Sequence, residues 1–424
     1  MIEKKETTVQ KTARKNGKLS NWVAAALILY LFYYSYRYIF KYNAEMTSPT
    51  YSDTPLAFQL GKYVLLAIIL IGIFFSILNS RIKPVSPVAF LLLILILVQN
   101  VYSFVLTHNI NDVISLICFC PALLIMSVPD EINVRTIDKI FIFFLHFTIA
   151  YEIIQILLYF LIGRLPALGY DTGKIYDVRF GGAWDDPNGF SVLLAFLIPY
   201  SFLKFRAVKR FIYVGLLSIF LIMTWSLTGI ASFLGICAII LLSKAIHYRN
   251  YTTETFIEIL IGMLVLMAGI VLIFVWQSDA IFAFIQQKTG SISGHLESFD
   301  LSAISPLTLL GISPAPRQME SGAIALIWHG GIIHLLAFYI FGFISIASCC
   351  KLIKLIGKQD KNYPLYYAMV CYMGAFMIAN LNLPMVYLFS NVGIFALFAA
   401  ISINNNKTYE CALLLRRQTE RSCN

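Results

Sequence analysis

Apolar residues run along this chain in blocks of about 20, the length a helix needs to cross the hydrocarbon core of a bilayer. The pattern places spans near 20–40, 61–79, 87–107, 110–128, 140–162, 187–203, 211–226, 228–243, 256–276, 322–347, 364–381 and 384–403. Most connections are short, as between antiparallel helices packed side by side. Three are longer: the polar, proline-containing 42–60, then 163–186, and the longest, 277–321, rich in glycine, serine and proline. The start of the last, 279–287, is apolar at helical spacing and reads as an amphipathic segment on a membrane surface. The expected fold class is all-α: a polytopic integral membrane protein of about twelve transmembrane helices with one long external loop. Residues 1–19 read as a basic cytoplasmic tail, and 20–403 as the bundle with external loops 163–186 and 277–321. Residues 404–424 read as a second cytoplasmic tail, and both tails have the composition of solvated, disordered chain.

Composition sharpens this picture. The chain is 59% hydrophobic and only 13% charged, against about a quarter charged in a soluble protein, which leaves no room for a large soluble domain. Residues 1–18 are polar and basic, and the first apolar stretch, from Trp22, contains Arg37 and no small-residue cleavage pattern. It reads as a first span rather than a removable signal. The net charge of +10 suggests nucleic acid until it is sorted by loop. Alternate loops and the two tails then hold 24 of the 32 lysines and arginines. This is the positive-inside asymmetry, and it puts both termini in the cytoplasm. The lipid bilayer is the partner it implies, with no nucleic acid. Of the eight cysteines, Cys118, Cys120, Cys237 and Cys371 fall in spans and the rest near the cytoplasmic face. They read as free thiols, neither a disulfide framework nor a metal site.

The cations left outside need a reason. Arg164 and Lys174 suit interfacial anchoring. Arg179 differs because it opens Arg179-Phe180-Gly181-Gly182-Ala183-Trp184-Asp185-Asp186-Pro187-Asn188-Gly189. Asp186 is a good N-cap and Pro187 fits a first helical turn, so a span begins here with its positive dipole end outward. Gly181 and Gly182 let the backbone approach a ligand. A guanidinium beside such a helix start suits a phosphate or diphosphate. The same residues also describe a glycine turn followed by an ordinary capped helix, and local chemistry leaves both open. In the late loop, Arg317 and Glu320 share a helical face and either pair with each other or act in catalysis. His295 is a lone external histidine, by default a solvated one.

Within the spans, Arg37, His146, Glu152, His329 and His334 are costly residues. Arg37 lies near the outer end and can snorkel. Glu152, with Gln155 one turn on, is expected to face the interior, in interhelical hydrogen bonding before proton relay. Asn380 and Asn382 beside Pro384 read as a hairpin between spans. A Walker A sequence, a His-Glu-x-x-His zinc pattern and a nucleophile elbow are all missing. So is the ladder of acidic residues that many ion-coupled transporters show.

Three blocks carry a family resemblance. They are the Arg179–Gly189 segment, Thr224-Trp225-Ser226-Leu227-Thr228-Gly229, and the late loop ending in Glu320-Ser321-Gly322 before a span containing Gly330-Gly331. Together, over about residues 170–345, they resemble the O-antigen polymerase and O-antigen ligase superfamily of bacterial envelope glycosyltransferases. The departures are specific. No arginine follows Ser226, and His295 stands where members often have arginine. Glu320 stands where many have aspartate or, in ligases, histidine, which tilts the resemblance toward polymerase. The resemblance implies polymerisation of polyprenyl diphosphate-linked oligosaccharide repeat units on the outer face of the bacterial cytoplasmic membrane, with no cofactor. The products would be O-antigen of lipopolysaccharide, capsule or exopolysaccharide. A ligase and a lipid-linked glycan flippase are the alternatives. By this resemblance Arg179 and Arg317 hold the diphosphate, with Gly181, Gly182, Asp185 and Asn188 around it. Glu320, with His295 behind it, serves as base. Asp185 is an alternative base or sugar ligand, and Trp184 stacks on sugar or sits at the membrane interface. A chain-length regulator is a partner such enzymes accommodate.

Overall fold

The computed structural model describes residues 18–36, 56–78, 83–108, 110–129, 131–162, 169–171, 178–184, 186–247, 306–311 and 321–423. The N-terminal tail to residue 17, Arg37, Arg164, Lys174, the span expected at 256–276 and the amphipathic segment 279–287 lie outside them. So do Asp185, His295, Arg317 and Glu320. The helices are α1 Lys18–Phe32, α2 Leu56–Ile77, α3 Pro87–Thr107, α4 Ile110–Met126, α5 Val134–Ile162, α6 Pro187–Lys204, α7 Ala207–Met223 and α8 Leu227–His247. Then follow the short α9 Pro306–Leu309, α10 Gly322–Ile356, α11 Tyr363–Asn382 and α12 Phe389–Cys423. Single 3-10 turns close α1 at Tyr33–Tyr36 and precede α12 at Met385–Tyr387. Between α5 and α6 lies an antiparallel hairpin, β1 Gly169–Asp171 with β2 Val178–Phe180. It is a small departure from the all-helical expectation, inside the 163–186 loop.

Five described helices are long and apolar enough to cross a membrane: Leu60–Ile77 of α2, α3, Val134–Leu157 of α5, α10 and α11. Alpha1, α4 and the start of α8 are shorter apolar helices. The outward faces explain the apolarity. Val64, Ile68, Ile71 and Phe75 form one stripe of α2, each at least half exposed, while Leu66, Ile69, Ile73 and Ile77 are buried behind it. Such a stripe has no place against water and a natural one against lipid.

The chain divides into two compact units. The first contains α1–α4, the first half of α5 and α9–α12. Its centre is aromatic: Phe376 of α11 stacks on Phe395 of α12 at 4.6 Å, and Phe338 of α10 stacks on the same ring at 5.6 Å. Phe119 of α4 meets Phe338 edge-on. Asn405 binds the other end together. Its side-chain oxygen accepts from the Ile132 N–H at 2.9 Å, and its amide donates to the Ile132 carbonyl and the Tyr366 hydroxyl. These bonds lie within the segment expected to be an unstructured tail. That expectation is corrected: residues 404–423 continue α12. Asn404 and Asn405 are buried, and Lys407 pairs with Glu410 at 3.0 Å one turn on, holding that carboxyl below its usual range.

The second unit contains the rest of α5, the hairpin and α6–α8. Alpha6 is its core; every residue from Gly189 to Ile198 is buried, as an all-round apolar helix demands. Alpha7 and α8 both pack on it. They are separate helices joined by only Thr224–Ser226, and Trp225 takes φ 49° to make the reversal.

Candidate functional site

The Arg179–Gly189 segment lies wholly in the second unit. Arg179 is in β2, opposite Tyr170. The chain then turns sharply, with the Trp184 N–H donating to the Gly181 carbonyl at 3.0 Å. Gly182 takes φ 60°, a left-handed conformation that glycine adopts without penalty. Both glycines also answer to packing. A Cβ on Gly181 would lie 2.6 Å from the Trp184 carbonyl, and one on Gly182 would lie 2.5 Å from both Glu152 Oε1 and the Phe190 ring. What they approach in the structure is protein. Trp184 is 1% exposed, so its indole sits in the core rather than at an interface.

Alpha6 starts as its sequence predicts. Asp186 is the N-cap; its carboxylate accepts from the Asn188 N–H at 3.0 Å and the Gly189 N–H at 2.9 Å, and Pro187 follows it. The Asn188 side-chain oxygen accepts from the Ser226 hydroxyl at 2.9 Å. Ser226 is itself a cap, accepting from the Gly229 N–H at 3.1 Å. Gly229 packs on Ser191 so closely that a Cβ has no room. Thus the Arg179 block and the Thr224–Gly229 block, 38 residues apart at the Asn188–Ser226 bond, meet where α6 and α8 both begin. Two positive dipole ends converge there. Asp186 already engages two of the N–H groups and adds negative charge. An anion at this place therefore needs a side-chain cation.

Beneath Gly182 lies Glu152 of α5. It has no solvent exposure, and neither carboxylate oxygen has a hydrogen-bond partner among the described residues. Thr148, one turn before it, is equally buried and its hydroxyl is also unpaired. Gln155 is buried one turn after. The interior placement expected for Glu152 and Gln155 holds; among the described residues no helix donates a hydrogen bond to Glu152. His146, by contrast, is exposed, with Nδ1 2.6 Å from the Ile142 carbonyl.

The third block belongs to the first unit. Ser321 caps α10, accepting from the Ile324 N–H and donating to the Leu381 carbonyl at 2.6 Å. Gly322 is pressed on Asn380, whose side-chain oxygen accepts from the Val386 N–H at 3.1 Å. This is the expected Asn380–Pro384 hairpin. Seven residues into α10, His329 Nδ1 lies 3.4 Å from Asp112 Oδ2. That oxygen also accepts from Ser103 of α3 at 2.7 Å. Tyr387 packs edge-on against His329 with centroids 5.7 Å apart, and His334 is buried on the same helix. Between the two histidines, α10 breaks at Gly331, φ 76° and ψ −178°. The gap is filled from the late loop: Gly331 abuts the Leu309 carbonyl and the Gly311 N–H at the end of α9. Sequence reasoning marked both histidines but missed Asp112. Its signal was present, a lone acid in an otherwise apolar helix with Ser115 one turn on.

Together, apolar outward faces and a polar, capped interior define a helical membrane protein. Compared with known proteins, the chain matches no family model and no curated protein.

Proposed function

We propose that this protein is a membrane glycosyltransferase that polymerises polyprenyl diphosphate-linked oligosaccharide repeat units. The observation that carries the reading is the Asn188–Ser226 hydrogen bond, which joins two of the three blocks on which the family resemblance rests. The setting is a bundle of about twelve spans with cytoplasmic termini, which puts the starts of α6, α8 and α10 on the outer side of the bacterial cytoplasmic membrane. The donor is a growing glycan on polyprenyl diphosphate, and the acceptor is the terminal hydroxyl of a lipid-linked repeat unit. The acceptor oxygen bonds to the anomeric carbon as the bond to the diphosphate breaks. Negative charge grows on the leaving diphosphate and calls for fixed cations. Arg179, in the segment that leads into α6, is the first, and Arg317 is the second. Glu320 takes the acceptor proton, with His295 behind it. No cofactor enters the scheme, and a chain-length regulator is the partner that would set product size.

Deleting the gene and analysing envelope glycans tests the function. The expected result is loss of polymer with single repeat units retained. Long polymer left free of its acceptor lipid would mean a ligase. Repeat units held only on the inner face would mean a flippase.

A further inference from the structure

We propose that the groove between α1 and α5 binds an anionic phospholipid, with its headgroup at Lys139 and one acyl chain between Ile28, Phe32, Ile140 and Phe143. The proposal is independent of the polymerase reading and concerns the first unit's partner in the membrane.

The groove follows from how the two helices start. The Ser20 hydroxyl, in the first turn of α1, accepts from the Asn133 N–H just before α5 at 2.9 Å. Further along, the Phe32 ring meets Phe143 and Phe144 with centroids 5.8 and 5.0 Å apart. The helices therefore run side by side in the same direction. Between them lies a cavity of about 400 Å³ lined by Ile28, Phe32, Thr136, Lys139, Ile140 and Phe143, a size that holds small ligands. It opens where a bilayer would lie: Ile28 is 46% and Phe143 64% exposed.

Both walls change character in the same direction. On α1, exposed Lys18 and Asn21 come before Ile28 and Phe32; on α5, exposed Arg135 and Lys139 come before Ile140 and Phe143. The cations thus gather at the two helix starts, whose positive dipole ends add to them. Lys139 is the charge that the groove itself holds. Among the described residues no acid pairs with it. Asp138 is turned away, since about 100° per residue puts it on the side of α5 opposite Thr136 and Ile140. Glu131 and Arg135 both act on the Tyr409 hydroxyl and offset each other there.

This arrangement selects the occupant. A soluble anion leaves the apolar walls unused, and a purely apolar ligand leaves Lys139 unused. A phospholipid uses both. A zwitterionic headgroup brings its own ammonium to the lysine, whereas an anionic one does not. The expected sidedness puts this end in the cytoplasmic leaflet, where basic clefts between spanning helices take acidic headgroups.

The test is native mass spectrometry of the full-length protein released from detergent, with added phosphatidylglycerol or phosphatidylcholine of the same chains. Wild type should bind phosphatidylglycerol more tightly. Lys139→Gln should weaken that binding about fivefold, the worth of one cation near an anionic headgroup, and leave phosphatidylcholine unchanged. Ile28→Trp, which fills the groove from an exposed position, should weaken both lipids. Lys209→Gln removes an equally exposed lysine from α7 in the second unit and should change neither. Equal losses from Lys139→Gln and Lys209→Gln would overturn the proposal by making the attraction general. Equal binding of the two lipids by wild type, or unchanged binding by Ile28→Trp, would overturn it too. So would a dimer in the wild-type spectra that Ile28→Trp dissociates, since a second copy would then be the occupant.

Discussion

Arg179→Ala is expected to abolish long-chain polysaccharide while leaving the protein in the membrane. Arg179 lies in β2, outside the helices, so its loss leaves the α6 cap, the Asn188–Ser226 bond and the apolar outward faces intact. What disappears is the cation of the segment that leads into α6. Removing one preorganised group that stabilises developing negative charge slows such reactions by about 10²–10³-fold. On a gel of envelope glycans the ladder shortens to single repeat units while membrane-fraction protein stays at the wild-type level. Arg179→Lys keeps the charge but loses the planar fork that grips two phosphate oxygens, so partial activity is expected from it. A normal ladder from Arg179→Ala would remove the segment from the site.

The second large effect falls on stability. Gly331 adopts φ 76° and ψ −178°, a region open essentially to glycine alone and costing about 1–3 kcal/mol for other residues. A Cβ there would also come within 2.6 Å of the Leu309 carbonyl and 2.7 Å of the Gly311 N–H. Gly331→Ala therefore pays backbone strain and also pushes α9 off the break in α10. Gly357 provides the control. Its φ of 75° and ψ of 166° are nearly the same, yet nothing lies within 4 Å of its would-be Cβ. Thermal unfolding in detergent should show Gly331→Ala well below wild type and Gly357→Ala only modestly below. Equal shifts would mean that the α9 contact contributes nothing.

Much of this architecture was legible because its signals are local. Alpha3 runs from Pro87 to Thr107 as the apolar block predicts, and Asp186-Pro187 announces the start of α6 just before its buried run. The Thr224–Ser226 reversal, with almost no loop, still separates two helices, because Thr224 and Ser226 bond to neighbouring backbone. What escaped depends on distant partners. Three consecutive asparagines at 404–406 look like a helix end, since asparagine is a poor helix former. Tertiary bonds from Asn405 to Ile132 and Tyr366 override that preference. Asp112 became conspicuous only when Ser103 and His329 arrived from other helices. The β1–β2 strands, three residues each, are too short to leave an alternation. Gly182 was legible as a glycine turn, but nothing in the sequence tells that Glu152, 30 residues earlier, lies under it.

Reconstitution is the test of repeat-unit polymerisation itself. Purified protein in lipid vesicles, given only lipid-linked repeat unit with neither nucleotide nor added metal, should produce a ladder spaced by one repeat unit. Polyprenyl diphosphate should be released in step with each addition, and Arg179→Ala vesicles should yield none. Intact, unelongated repeat unit from well-folded wild-type protein would rule polymerisation out.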